Sequence, residues 1–176
     1  MKPHKVPSTV VGRKRLLKLA DLLEKNAANK KGAKFAMEIW GRTDQEYATV
    51  EEMPKRIEIN CHTTACAMGL AALSGVFKKQ GLDYKLKAEP YSYWNEDAAD
   101  YATYYKHDFE FTLGGKPMDG HKAAVRFFQI THDEAHELFV PFHSAYAHAS
   151  GASGERKVAK RIRDFVAGKD VGVKYC

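Results

Sequence analysis

Disulfide chemistry is the first thing for which this sequence has little room. Its 176 residues hold only three cysteines, Cys61, Cys66 and Cys176, an odd and sparse set that predicts reduced thiols rather than a covalent framework. Long hydrophobic runs are missing as well. No stretch approaches the roughly 18 apolar residues of a membrane-spanning helix, and Met1–Val10 has no apolar block of the signal-peptide kind. A cytoplasmic protein with no membrane partner is therefore expected. The Walker loop, the dinucleotide fingerprint, the kinase motifs and the Gly-x-Ser-x-Gly elbow are all absent. No cofactor is implied, and the balance leans away from an enzyme. What is present suffices for a core: 44% hydrophobic and 28% charged residues exclude a disordered, collagenous or coiled-coil chain.

Charge is unevenly spread. Residues 1–20 carry +6 and residues 155–176 carry +4, against a total of +6, which leaves −4 for the middle. Basic ends around an acidic centre point to an anionic partner, and equally to a solvated tail and an ordinary exposed helix face.

Periodicity predicts the elements. Residues 1–12 read as a flexible basic arm, and 13–176 as a single globular domain. Leu16, Leu19, Ala20 and Leu23 place a helix over Arg13–Asn26. Phe35–Trp40 is apolar-periodic, Ile57 and Ile59 alternate as a short strand, and Thr64–Phe77 reads as an apolar central helix. Asp119 caps a helix to Phe128, and Thr131 with Glu134 forms a capping box for the next. Ser150–Gly154 reads as a flexible link before a last helix, Glu155–Ala167. Between them Tyr84–Ala88 and Asp108–Leu113 alternate as strands, in a β-rich insertion at about 82–115 rich in aromatics. The sum is an α+β fold, predominantly helical with about five helices and a small β-rich aromatic lobe.

Three sets of residues could carry chemistry. Cys66, at the start of the predicted central helix, is placed where a helix dipole favours a thiolate; the competing view is a small buried packing residue. His132 and His136, at i and i+4, could chelate a metal with a further histidine from His121, His143 or His148, and could as well be half-buried structural side chains. The third set joins the cations Arg156, Lys160 and Arg163 to the rings Tyr93, Trp94 and Tyr105. Cations for phosphate and ring faces for bases are what a nucleotide or a single strand requires. On this basis the chain is expected to be a non-enzymatic binding protein for a phosphate-bearing ligand, nucleotide-like or nucleic acid. The alternatives are a metal-dependent hydrolase using the histidines, and an inhibitor that binds a host protein through the aromatic lobe.

Several pieces together resemble a loose group of uncharacterised small bacterial and phage proteins with a Cys-Gly-Thr-x-x-Cys-x-x-Gly motif. The match runs through Leu16–Leu23, Phe35–Trp40, Cys61-His62-Thr63-Thr64-Ala65-Cys66-Ala67-Met68-Gly69, Ile130–Phe139 and Val158–Phe165. His62 replaces the usual glycine, and the aromatic lobe is longer than is typical. The resemblance implies a shared scaffold in which the cysteine motif serves packing, a phage or bacterial setting such as that of an accessory or anti-defence factor, and a lobe where this member's own function was added.

Overall fold

A computed structural model of the chain describes residues 9–95, 100–139 and 149–169, with the backbone alone for 93–95 and 100–102. Five α-helices and two small three-stranded sheets make up these residues, a helix-predominant α+β fold. Helix α1 (Val10–Ala28) buries Leu16, Leu19, Ala20 and Leu23, and its main packing partner is α5 (Gly151–Val166), which buries Val158, Ile162 and Phe165. Each of the larger side chains, Ala20 aside, contributes about 1.5–3 kcal/mol when taken from water. Helix α1 starts at Val10, ahead of the expected Arg13, because Thr9 caps it by accepting from the Gly12 N–H at 2.9 Å. Gly12 must be bare: a Cβ there would lie 2.3 Å from the carbonyl oxygen of Phe128. The remainder of the expected arm, residues 1–8, lies outside the described residues.

The caps read from the sequence hold. Asp119 accepts from the N–H groups of His121 (3.0 Å) and Lys122 (3.1 Å) at the head of α3 (Gly120–Phe128). Thr131 and Glu134 bond reciprocally, Glu134 N–H to Thr131 Oγ1 at 3.2 Å and Thr131 N–H to Glu134 Oε2 at 2.7 Å, opening α4 (His132–Phe139).

Four segments depart from the sequence-based expectation. Thr64–Phe77 is not one helix but strand β3 (Thr63–Ala65) followed by a short α2 (Ala67–Leu73). A run buried on every side carries no period that separates strand from helix, and the β-branched Thr63-Thr64 pair decides for strand. The apolar period of Phe35–Trp40 likewise does not mark one regular element. Strand β1 (Lys34–Phe35) pairs parallel to β3, and β2 (Arg42–Thr43) pairs antiparallel on its other side. Ile57 lies outside any strand and is buried, its N–H donating to Tyr84 Oη at 3.0 Å. Finally, Gly151–Gly154 is no link but the first turn of α5, and Gly154 fits because a Cβ there would stand 2.8 Å from the Ala149 carbonyl carbon.

The two motif pieces interlock. The Cys66 N–H donates to the Ile39 carbonyl, and the Trp40 carbonyl fills the notch over Gly69, where a Cβ would be 1.4 Å away.

The second sheet is a long hairpin. Strand β4 (Leu82–Asn95) pairs antiparallel along its whole length with β5 (Asp100–Leu113), far beyond the two short strands expected. Gly114 and Gly115, at φ of 60° and 78°, then turn the chain into β6 (Lys116–Met118), which pairs with Phe111–Leu113. The near half sits on the core, with Leu82, Tyr84 and Phe111 buried, while Glu89, Pro90, Ser92 and Thr103 further out are exposed.

Candidate functional site

Of the expected phosphate-binding cations, two are committed to carboxylates of the chain itself. Arg163 reaches Asp21 (2.7 Å) and Glu24 (2.8 Å) on α1, and these bonds, Glu24's first, hold its guanidinium above its ordinary pKa. Lys160 bonds Asp164 at 2.5 Å, and Asp164 also holds Lys169 at 2.9 Å. Arg156 is exposed and donates at 3.5 Å to the Ala27 carbonyl. On the hairpin, Tyr105 is half-buried and exchanges backbone hydrogen bonds with Tyr47 at 2.9 and 3.1 Å. The backbones of Tyr93 and Trp94 stand opposite Ala102 and Tyr101, and their side chains lie outside the described residues. Helix α5 takes α1, β1 and α4 as its principal neighbours, whereas β5 takes β4, β6, α3 and β2. The two elements share no principal neighbour, and the bonds given for Arg156, Lys160 and Arg163 run to α1 or within α5 itself.

Cys66 is the N-cap of α2, not a residue of its first turn. Its Sγ accepts from the Gly69 N–H at 3.4 Å, it is fully buried, and desolvation pushes the thiol up to about 11. A thiol protonated at neutral pH and sealed from solvent is a packing residue, not a nucleophile.

His132 and His136 do share a face of α4, and α3 brings His121 against them, with ring centroids at 4.2 and 5.8 Å. Burial first, then the two neighbouring imidazoles, hold His121 below its ordinary pKa. Among the described residues no group of three His, Cys, Asp or Glu side chains is arranged to hold a metal ion. His143 and His148 lie outside the described residues.

A different set does converge. Between the end of α1, β1 and the start of α5 is a pocket of about 520 Å³, lined by Asn26, Asn29, Lys30, Lys34, Cys61 and Glu155 among others. The first turn of α5 opens onto it through Gly151 and Ala152, and the N-cap Ser150 makes no side-chain cap bond to that turn. A helix start without a side-chain cap presents backbone N–H groups and the positive end of the helix dipole. Lys30 is exposed, and Lys34 meets Asp44 at 3.3 Å in a solvent-exposed pair, the kind that contributes little. Glu155 is 2% exposed and accepts from Asn26 Nδ2 at 2.6 Å; that amide also donates to the Ala33 carbonyl at 2.9 Å. Desolvation pushes the Glu155 carboxyl up to about 7, against the lowering influence of Asn26 and Arg156. Near neutral pH this side chain is thus partly a neutral acid, able to donate a hydrogen bond as well as accept one.

The sequence held one signal for this site. Glu155 precedes Val158, Ala159 and Ile162 by three, four and seven positions, so a carboxylate occupies the apolar stripe of α5. Nothing local marks Lys30 and Lys34, which follow α1 in a short polar stretch. Comparison with family profiles, curated proteins and solved structures finds no match to this chain.

Proposed function

We propose that this chain is a non-enzymatic binding protein that holds a phosphate-bearing small molecule of the nucleotide type in the pocket between α1 and α5. The carrying observation is the placement of Lys30 and Lys34 opposite the start of α5, which lacks a side-chain cap, around a pocket of about 520 Å³. A phosphate oxygen is matched by ammonium groups, by helix-terminal N–H groups and by a protonated carboxyl. Lys34 releases Asp44 to take part, and Arg156, anchored on Ala27 beside the pocket, adds charge at the rim. In the phage or bacterial setting that the resemblance implies, such a protein acts as an accessory factor that sequesters a host nucleotide.

Titration calorimetry with AMP against adenosine tests this. AMP should bind with a salt-dependent affinity that Lys30→Ala/Lys34→Ala lowers at least tenfold, and bound AMP should slow alkylation of the exposed Cys61. Equal binding of adenosine, or no effect of the double variant, overturns the reading.

A second reading rests on the hairpin. Its outer half, with Tyr91 and Tyr104 paired at 6.2 Å between centroids and exposed residues on both strands, has the form of an arm for docking on a host protein. Substituting Ser92 and Thr103 with arginine should abolish such a complex and leave AMP binding intact.

A further inference from the structure

We propose that the groove where β6 gives way to α3 binds an organic cation at the edge of β5, reached from one face of the strand by the rings of Trp40 and Phe109, which rest on the buried Phe111, and from the other face by the carboxylates of Asp108 and Glu110, with Asp119 at the head of α3. The groove encloses about 420 Å³, and its lining includes no lysine or arginine among the described residues. It exists because β5 loses a partner. On the side away from β4, β6 pairs with Phe111–Leu113 and Tyr47 with Tyr105, and among the described residues no strand pairs with 106–110 on that edge.

The wall is built in advance. Trp40 meets Phe111 edge-on at 5.5 Å, Phe111 meets Phe109 at 4.9 Å, and Phe109 stacks on Tyr84 at 4.9 Å. Gly120 lets α3 close on this wall, since a Cβ there would lie 2.7 Å from the Phe111 ring. Aromatic faces attract cations, most of all those freed from water, and nearby carboxylates add attraction and orientation.

Charge in the groove is unbalanced. Lys87 holds Glu110 at 2.5 Å, Lys85 stands opposite Glu110 in the ladder, and Asp119 gives one oxygen to the head of α3, so the attraction for a further cation comes chiefly from Asp108 and the second oxygen of Asp119. The same sheet uses this combination twice on its own cations. The Arg56 guanidinium lies 4.4 Å from the centre of the Tyr84 ring while bonding Asp83 at 2.8 Å, and Lys106 Nζ lies 3.8 Å from the centre of the Tyr91 ring with Glu46 at 3.6 Å. The groove offers rings and acids of the same kind and leaves the place of the cation to a ligand. Its volume suits an amino-acid-sized ion bearing a guanidinium or an ammonium.

Trp40 reports occupancy. In a Trp94→Phe background it is the only indole, and its emission should change saturably on titration with arginine amide or lysine amide at low ionic strength, and not with the neutral citrulline amide. Response to one cation alone supports the proposal and assigns the head group. Asp108→Asn/Glu110→Gln should weaken binding at least tenfold with an unchanged circular dichroism spectrum. Should that variant fail to fold, Asp108→Lys at the exposed position supplies an internal cation and should block binding. In the unaltered chain the Trp40 indole N–H resonance should shift in parallel. No saturable response to either cation, an equal response to citrulline amide, or undiminished affinity in a folded variant overturns the proposal.

Discussion

The pocket between α1 and α5 and the groove beside β5 are opposites in polarity and in construction. Lysines and a helix start surround the first, and a buried acid lies within it; carboxylates rim the second, and rings form its wall. Neither follows from the basic ends and acidic middle of the chain. Arg163 and Lys160, conspicuous in the sequence, are neutralised by Asp21, Glu24 and Asp164 once the helices pack. Local potential is set by which charges folding leaves unmatched, so a net charge of +6 describes neither site.

The strongest way to break the contrast is to damage what positions the ring wall. Gly69→Ala drives a methyl into the Trp40 carbonyl and should cost about 3 kcal/mol or more in urea unfolding, with loss of cation binding in whatever still folds. Next in size is Glu155→Gln, which touches the pocket alone. The folded carboxyl titrates near 7 against an ordinary 4.5, so its contribution is fully present below about pH 4.5 and is lost as pH rises through 7. Linkage puts that loss at up to about 3 kcal/mol. Urea curves should show the wild type weakening from pH 5 to pH 8 and the glutamine variant weakening less, with cation binding at the groove unchanged.

His121 sharpens the comparison with the opposite sign. Its folded pKa lies below the ordinary 6.5, so stability from this group is present above that pH and falls as pH drops below it. His121→Asn should flatten the acid side of the stability profile and leave the alkaline side as it was. The smallest effect is expected at Lys160→Ala. An exposed i, i+4 pair contributes little, so the urea midpoint and AMP affinity should both stay within error of the wild type.

Much of the helical scaffold was legible because its signals are local. The Asp119 cap, the Thr131–Glu134 box and the stripes of α1 and α5 each need only a few neighbouring residues to be read, and the bonds found match them. The central segment was not legible. Ala65–Leu73 is apolar throughout, and its division at Cys66 depends on strands β1 and β2 that arrive from elsewhere in the chain. The outer hairpin was half legible: tyrosines alternate with acids and small polar residues there, and only pairing with the opposite strand settles its length. The pocket was the least visible, since Asn26 and Glu155 are separated by 129 positions and meet only because α1 and α5 pack.

The notch over Gly69 ties two tasks to one peptide. The carbonyl that seats α2 belongs to the residue carrying the indole at the groove, so the indole is anchored at its root before any guest arrives. A guest there meets a surface whose ordering cost was met when the chain folded. Discrimination at that wall therefore depends on fit, not on adjustment, and substitutions meant to retune it by loosening the backbone would cost the protein its architecture first.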